Sequence, residues 1–296
     1  MKLELKNINK SFGENHVLKG ISLEATSGKA LGVLGRNGAG KTTAIRIVMG
    51  VFPQDEGEIF IDGKPIDRKH INFGYLPEER GLYPKKIILD QLVYFAMLKG
   101  MNKTDAVKSV KHWLDRLNMS EYSNKKLETL SKGNQQKIQL IVTLVSDPDI
   151  IILDEPFSGL DPVNAKLLED IVKEELAKNK LVFFSSHQMN YIEEFCENIA
   201  ILNKGNIVLN GNIHEIKRNY DRSKLIIAAQ NLENIKNNID EESFIEKDNL
   251  IVQLKSEADK NKFLNQIVSK NLDVDEIKVF EPSLKDIFVE YTEESI

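Results

Sequence analysis

A glycine-rich stretch with the sequence Gly-Arg-Asn-Gly-Ala-Gly-Lys-Thr, residues 35–42, carries the clearest chemistry of this 296-residue chain. It has the form G-x-x-x-x-G-K-[ST], and it lies between an apolar, strand-like run at 30–34 and a helix-like run at 44–50. Glycines let successive backbone N–H groups converge on phosphate oxygens, and the helix start adds unpaired donors. The stretch therefore predicts a nucleoside triphosphate site.

Two side chains of this loop are predicted to touch the triphosphate and its metal ion. Lys41 is the point charge that reaches the β- and γ-phosphates, and the hydroxyl of Thr42 is the expected Mg²⁺ ligand. Thr43 begins the body of the helix. The candidate nucleotide-binding residues of the stretch are Gly35, Asn37, Gly38, Ala39, Gly40, Lys41, Thr42 and Thr43.

Two adjacent carboxylates follow a second buried strand. Residues 150–153 are all aliphatic, as in a parallel strand covered on both faces, and the run ends at Asp154 and Glu155. Beside a phosphate loop, Asp154 is expected to hold Mg²⁺ through water. Because successive side chains leave a strand on opposite sides, Glu155 can address a water in line with the γ-phosphate, and we predict it to be the general base.

The composition is typical of a globular protein of about two domains. Hydrophobic residues make up 41% and charged residues 29% of the chain, with a formal net charge of -5. We expect no secretory signal and no membrane span, since the apolar runs fall short of the roughly 18 residues that a span requires. Without a basic stripe, we expect no nucleic-acid partner. The single cysteine, Cys196, is predicted to pack in the core, which fits a reducing compartment.

The elements that must position these residues follow an α/β pattern. Alternating strands at 3–8 and 17–24 precede the phosphate loop. Phe12 lies at the turn between them, where it either stacks on a purine or closes the edge of the core. From about residue 89 to 147 the apolar residues recur at helical spacing, which predicts a helical subdomain with Trp113 in its core.

The α/β pattern stops near residue 220, which predicts two domains, 1–220 and 221–296. The predicted order of elements after the boundary is βαββαβ, the ferredoxin-like arrangement of a small α+β domain. This part contains no histidine or cysteine, so it offers no evident metal or nucleophilic chemistry. We assign it to interaction or regulation.

A third motif, Leu-Ser-Lys-Gly-Asn-Gln-Gln-Lys at 130–137, resembles the signature L-S-G-G-Q-x-x-[RK] of the ATP-binding cassette (ABC) family. Ser131 and the N–H of Gly133 lie at a predicted helix start, which is an anion site. The phosphate loop, residues 158–161 and His187 complete the family's landmarks in order over residues 1 to about 220. The resemblance implies a P-loop ABC ATPase domain with a helical subdomain.

In the family, two cassettes pair head to tail, and each ATP lies between one subunit's phosphate loop and the other's signature. The resemblance therefore implies that Ser131, Gly133 and Asn134 bind ATP in trans. It also implies that Asp161 helps to couple the two sites and that His187 is a catalytic residue that positions the attacking water. ATP and Mg²⁺ are the implied cofactors, and a homodimer and a heterodimer of cassettes both remain open.

Three positions depart from the family pattern. Glu78 stands where a glutamine is common; its oxygen can still ligate Mg²⁺, but it adds negative charge beside the phosphates. Lys132 and Asn134 replace a glycine and a glutamine of the signature, and Asn134 keeps an amide donor, so we expect activity to survive. The expected metal ligands are Thr42, Glu78 and Asp154.

Glu78, the run at 79–84 and the ending at 281–288 are similar to one branch, the ATP-binding subunits of ABC-2-type exporters, which include sodium-extrusion and drug- or peptide-resistance systems. In that branch the membrane-spanning permease is a separate chain. The resemblance implies an ATP hydrolase that energises export and binds peripherally at the cytoplasmic face of the membrane. The candidate contacts with the membrane partner are Arg80, Leu82 and Tyr83.

Two other functions stay open on the sequence alone. One is a soluble cassette ATPase that acts on ribosomes or DNA, which the single cassette and the lack of a long coiled-coil insertion disfavour. The other is a regulatory nucleotide-binding module that barely hydrolyses ATP, which the presence of both Glu155 and His187 disfavours. The cargo is not specified, because transport specificity resides mostly in the membrane subunit.

Overall fold

A mostly parallel β-sheet lies at the centre of the first part of the chain. The structure is a computed structural model that describes residues 1–79, 81–186, 188–220 and 222–293. The elements before the helical insertion are β1 (Lys2–Phe12), β2 (Asn15–Thr26), β3 (Ala30–Gly35), α1 (Lys41–Val48), β4 (Glu56–Ile61), β5 (Lys64–Pro65) and β6 (Phe73–Leu76).

The chain is helical after β6, and the strands resume at residue 150. The helices of the insertion are α2 (Ile88–Leu98), α3 (Lys103–Arg116) and α4 (Lys132–Leu144). The elements that follow are β7 (Ile150–Asp154), α5 (Pro162–Ala177), β8 (Leu181–Ser185), α6 (Met189–Phe195), β9 (Cys196–Asn203), β10 (Asn206–Asn212) and α7 (Ile213–Arg218).

The parallel sheet has the strand order β10-β9-β3-β8-β7-β6, and β10 joins it antiparallel. Every residue of β3, β7 and β8 is buried, which explains why these strands read as continuous apolar runs. The carboxyl ends of parallel neighbours meet at one edge of a sheet. The phosphate loop after β3 and the carboxylates after β7 are therefore brought to the same edge, with the end of β8 between them.

A second, antiparallel sheet, in the order β2-β1-β4-β5, completes the core of this part. Its inward side chains, among them Leu5 and Ile21, belong to the same buried cluster as Ile47 of α1 and Ile152 of β7. Helix α1 thus packs against both sheets. Because α1 begins at the phosphate loop, this packing fixes the direction of the helix that faces the phosphates.

The predicted helical segment at 89–147 contains α2, α3 and α4, which pack on one another, and α4 also packs against β6. Trp113 and Cys196 are buried, as predicted. Burial raises the pKa of the Cys196 thiol well above its usual range. In the part of the chain that the structure describes, no helix is long and apolar enough to cross a bilayer.

The half-buried Lys99 ties the helices to the sheet. Its Nζ donates to the carbonyl oxygens of Val142 (3.1 Å) and Thr143 (3.3 Å) in the last turn of α4, and to that of Phe73 in β6 (3.4 Å). The last carbonyls of a helix lack partners within the helix, so a cation there is stabilising. Burial lowers the pKa of Lys99 to about 8.

The C-terminal part has the ferredoxin-like fold that the sequence predicts. Its elements are β11 (Lys224–Ala228), α8 (Leu232–Asn238), β12 (Glu242–Glu246), β13 (Asn249–Gln253), α9 (Lys260–Ser269), β14 (Glu276–Val279) and α10 (Leu284–Thr292). The strands form an antiparallel sheet in the order β12-β13-β11-β14. Its own core contains Phe263 and Ile267 of α9 and Ile235 of α8, which shows that this sheet is covered by these helices.

The structure divides the chain differently from the predicted boundaries 1–220 and 221–296. One unit contains Met1–Ile213 and the stretch from Phe288 onward, and the other is His214–Ile287. The end of α10 belongs to the first unit because the Tyr291 carbonyl accepts from Asn203 Nδ2 (3.3 Å) and Glu293 lies 3.9 Å from the guanidinium of Arg36.

Replacing Lys99 with methionine should change how stability depends on pH. Because the folded-state pKa of about 8 lies below the ordinary value of 10.5, the unfolded chain binds this proton more tightly. The wild-type free energy of unfolding should therefore rise, relative to that of K99M, by on the order of 2 kcal/mol as the pH increases from about 8 to 10.5.

Urea unfolding at several pH values measures this difference. The exposed Lys103 at the start of α3 provides a matched control, since K103M should follow the wild-type pH dependence. Parallel curves for wild type and K99M would contradict the assignment of a desolvated ammonium to Lys99.

Candidate nucleotide site

Two glycines give the phosphate loop its shape. Gly38 has φ +80° and Gly40 has φ +111°, a region of backbone conformation that side chains with a Cβ rarely adopt. Gly40 is also the N-cap of α1, and a Cβ there would lie 2.6 Å from Leu18 Cδ2. The first backbone N–H groups of α1 follow this turn directly and have no acceptor within the helix, as an anion site requires.

Lys41 folds back over the loop that precedes it. Its Nζ donates to the carbonyl oxygen of Gly35 at 2.6 Å and lies 3.4 Å from that of Arg36. The side chain is buried, with 9% exposed. A charged ammonium is thus held at the rim of the loop, where a phosphate oxygen can replace or join the carbonyls as its acceptor.

The loop forms one wall of a cleft of about 380 Å³. The carboxylates of Glu78, Asp154 and Glu155 line the same cleft. The predicted residues that the structure brings together here are Asn37, Gly38, Ala39, Gly40, Lys41, Thr42, Thr43, Glu78, Asp154 and Glu155.

Three further residues, Asn15, Val17 and Arg36, line the cleft although sequence reasoning did not select them. Arg36 occupies a variable position of the loop motif. Its positive charge next to a predicted phosphate site was the one sequence signal that could have identified it. Asn15 and Val17 begin β2, and no motif marks them.

Asp154 is held by donors on both of its carboxylate oxygens. The Ser185 hydroxyl donates to Oδ1, and the Tyr75 hydroxyl lies 3.4 Å from Oδ2. Burial and the charge of Asp154 raise the pKa of Tyr75 to about 12, so the phenol stays protonated and able to donate. Asp154 is 3% exposed, and these donors satisfy oxygens that water cannot reach.

Glu155 has an unusual backbone for a non-glycine residue, with φ +50°. Its N–H donates to the Ser185 carbonyl (2.9 Å), and its own carbonyl accepts from Ser158 N–H (3.1 Å). Its Oε2 accepts a hydrogen bond from the Ser186 hydroxyl at 3.0 Å. Left-handed backbone in such residues costs energy and is concentrated at functional sites, so the surrounding bonds must hold it in place.

The side chains at this cleft fit Mg²⁺. Thr42 offers a hydroxyl oxygen, and Asp154 and Glu78 offer carboxylate oxygens in the same cleft. Mg²⁺ prefers oxygen ligands and binds through one or two carboxylates together with phosphate and water. These three residues would hold the ion, and it would neutralise charge on the phosphates.

Several predicted residues do not line this cleft. Gly35 instead allows close packing, because a Cβ there would lie 2.7 Å from the Leu202 carbonyl oxygen. Phe12 is 48% exposed and packs edge to face on Phe52, with ring centroids 5.3 Å apart. His187 and Arg80 lie outside the described residues, so their predicted roles stay predictions.

The signature residues lie at the start of α4, apart from the residues that line the phosphate cleft. Ser131 caps the helix by accepting from the N–H of Asn134 (3.3 Å), and Gly133 lies close to Gly159. Asp161 caps α5 in the same way, accepting from the backbone N–H of Asn164 at 2.9 Å, and this bond lowers the pKa of Asp161. The members of this group are Ser131, Gly133, Asn134 and Asp161, none of which lines the described part of the phosphate cleft.

Two buried glutamines of α4 connect the signature helix to the cleft. Gln139 Nε2 lies 3.2 Å from the carbonyl oxygens of Pro77 and of Glu79, on either side of Glu78. Gln136 Nε2 lies 3.4 Å from the carbonyl oxygen of Pro156, next to Glu155. The helix that begins at the signature therefore supports the backbone beside two of the three carboxylates.

A glycine-rich loop between a buried strand and a helix, facing carboxylates at the same sheet edge, defines a P-loop nucleoside triphosphatase. Residues 18–158 match the family described as ABC transporter, and residues 211–292 match the C-terminal domain of DrrA1-3-like ATP-binding proteins. The chain belongs to the ABC transporter family, and it is an ATP-binding subunit with ATP hydrolase activity.

Relatives and solved structures agree with this assignment. The chain is 48% identical over 226 residues to the ABC transporter ATP-binding protein YhaQ of Bacillus subtilis, covering 76% of each chain. It is 31% identical to the linearmycin resistance ATP-binding protein LnrL of the same organism, covering 71% of this chain and 68% of LnrL. A solved ATP-binding subunit of an ABC transporter superposes with a TM-score of 0.68 at 26% identity, covering 74% of this chain and 93% of that one.

Replacing Lys41 with alanine should weaken ATP binding about 10- to 100-fold, because a charge-assisted hydrogen bond to phosphate contributes roughly 1.5–3 kcal/mol. Titration with a fluorescent ATP analogue measures the affinity. Lys64 is exposed and does not line the cleft, so K64A is the matched control and should bind as wild type does. Undiminished affinity of K41A would remove Lys41 from the phosphate site.

Proposed function

We propose that two copies of the cassette close head to tail around ATP and Mg²⁺, and that this cycle drives export through a separate membrane-spanning subunit. The observation that carries the proposal is the convergence of Lys41, Thr42, Asp154 and Glu155 on one cleft. This set provides a phosphate anchor, two metal ligands and a carboxylate base at one sheet edge.

Within the cleft, different side chains have different roles in ATP hydrolysis. Lys41 and the N–H groups at the start of α1 bind the phosphates and stabilise charge on them. Glu155 accepts the proton of the attacking water, and its buried, hydrogen-bonded position holds its carboxylate in one orientation. His187 is assigned by family resemblance to orient that water.

The separate position of the signature residues supports the head-to-tail dimer. Ser131 and Gly133 lie at the start of the 13-residue helix α4, on either side of Lys132, where the first N–H groups of the helix and its positive end form an anion site. If that site serves the γ-phosphate of the neighbouring subunit, ATP joins the two cassettes and its hydrolysis releases them. Asp161, which caps α5 beside this site, is then placed to sense the partner.

An exposed apolar face on α2 supports a protein partner in the membrane. Tyr94, Met97 and Leu98 are spaced to share one face of the helix, and Tyr83 stacks near it on Phe95 with ring centroids 6.0 Å apart. The four exposed side chains are between 45% and 63% accessible. Grouped apolar exposure of this kind marks a protein interaction site.

The occupant we propose for this face, defined by Tyr83, Tyr94, Met97 and Leu98, is a cytoplasmic segment of the permease. Leu82 and Arg80, which precede Tyr83 in the sequence, are the further contacts that family resemblance suggests. The resistance function in the name of LnrL supports an exporter, with the chain at the cytoplasmic face of the membrane.

Replacing Glu155 with glutamine should abolish ATP turnover and retain ATP binding, because the amide cannot accept the proton but keeps the shape. Steady-state phosphate release measures turnover, and size exclusion with ATP and Mg²⁺ measures dimerisation. Glu169 is also buried and pairs with Lys166 and Lys173 on α5, so E169Q is a matched control with wild-type turnover. Normal hydrolysis by E155Q would remove Glu155 from the role of base.

Purification of tagged E155Q with ATP and Mg²⁺ from gently solubilised cells tests the membrane partner. A polytopic membrane protein should copurify in stoichiometric amount. Recovery with ribosomes or DNA instead would support the rival function and overturn the export proposal.

Replacing Tyr94 and Leu98 together with serine should abolish this copurification and leave the basal ATPase rate unchanged, because the apolar contact is lost while the cleft is intact. Val268 on α9 is isolated and 77% exposed, so V268S is the control that should retain the partner. Retention of the partner by the double variant would place the membrane contact elsewhere.

A further inference from the structure

Two consecutive serines at the end of β8 face the two consecutive carboxylates at the end of β7. These strands are parallel neighbours, and their register pairs Asp154 directly with Ser185. One residue further along, the Ser186 hydroxyl meets the carboxylate of Glu155. Each carboxylate thus accepts a hydrogen bond from the serine beside it on the neighbouring strand.

The direction of the Ser186 hydrogen bond follows from its other partner. The backbone N–H of Gln188, which can only donate, lies 3.0 Å from Ser186 Oγ and occupies an acceptor position of the hydroxyl. The hydroxyl proton is therefore directed to Glu155 Oε2, 3.0 Å away. Ser186 is 1% exposed, so water does not compete for this proton.

Ser185 fixes the other carboxylate. Its hydroxyl donates to Asp154 Oδ1, and Tyr75 contacts Oδ2 from the opposite neighbour, β6. Ser185 is fully buried. The Asp154 side chain is therefore held from the strands on both sides of β7.

The backbone explains why Glu155 needs such a donor. Its left-handed conformation, φ +50°, turns the chain sharply after β7, and the N–H bond to the Ser185 carbonyl anchors that turn. A long side chain beyond such a turn keeps rotamer freedom that must be removed before it can meet a water in line with phosphate. The hydrogen bond from Ser186 removes part of that freedom.

We propose that Ser185 and Ser186 are separate positioning residues for the two halves of the site, Ser185 orienting Asp154 toward the metal ion and Ser186 orienting Glu155 toward the attacking water. The inference rests on the proposed roles of these two carboxylates. The two serines are adjacent in the chain and yet should affect different measurements.

The Ser186 half is tested by steady-state kinetics on the full chain at saturating Mg²⁺. S186A and S186C should lower kcat about 10-fold or more and leave KM for ATP within about twofold, because the lost bond acts on the reacting carboxylate. S186T keeps the hydroxyl and should restore most of the rate. Cysteine preserves packing and is a weak donor, so it separates loss of the bond from loss of volume.

The Ser185 half is tested without turnover. In the E155Q background with ATP, electron paramagnetic resonance titration with Mn²⁺ reports metal affinity. S185A and S185C should weaken Mn²⁺ about 10-fold, the usual effect of removing a partner that orients a metal ligand, and S185T should restore it. S186A in the same background should leave Mn²⁺ affinity unchanged.

Ser109 provides the matched control. It is a half-buried serine of α3 that donates to the Val145 carbonyl at 2.7 Å, away from the cleft, so S109A should change neither kcat nor Mn²⁺ affinity. Thermal unfolding of every variant identifies any loss of folding. If an alanine variant is unfolded, the corresponding cysteine variant provides the test.

The outcomes separate this inference from the proposed function. If E155Q is inactive but S186A and S186C turn over as wild type does, the positioning role of Ser186 is overturned and the base assignment stands. Equal effects of Ser185 and Ser186 variants on both kcat and Mn²⁺ affinity would show a shared structural role and overturn the separation. Wild-type turnover by E155Q would overturn the base assignment itself.

Discussion

Burial of two neighbouring carboxylates beside a phosphate site is the constraint on which the rest of this site depends. Asp154 and Glu155 are 3% and 5% exposed, and Glu78 lines the same cleft. Desolvation and mutual repulsion oppose this arrangement, so donors must surround the oxygens before the triphosphate adds more negative charge. The hydroxyls of Ser185, Ser186 and Tyr75 supply those donors, and the strand order places them there.

The fold followed closely from the sequence because its signals were local. Continuous apolar runs predicted the parallel strands β3 and β7, whose residues are buried throughout. The predicted βαββαβ order of the C-terminal part was confirmed. It was predictable because short strands such as β11 and β12 alternate along the chain, a pattern that can be read locally. The unit boundaries could not be predicted in the same way, since they depend on which part of the chain the end of α10 contacts.

The candidate site was predictable where a motif carries the chemistry. The loop residues from Asn37 to Thr43 and the carboxylates after β7 line one cleft, as their types and spacing implied. The supporting residues were not predictable, because a serine pair after a strand or a glutamine in a helix has many ordinary uses. The register of β7 against β8 and the packing of α4 on β6 decide what Ser185, Ser186 and Gln139 contact, and no local pattern encodes either.

The hydrogen bonds from Gln139 to the carbonyl oxygens of Pro77 and Glu79, the residues on either side of Glu78, have a consequence for exchanging parts between related transporters. The loop with Glu78 precedes the proposed membrane-facing surface, yet its backbone is supported by a side chain more than fifty residues later in the chain. A graft of residues 77–98 alone would leave that loop without its amide support. A graft would therefore have to include the loop together with α4. The fit of a cassette to a new permease then depends on two segments that are far apart in the sequence.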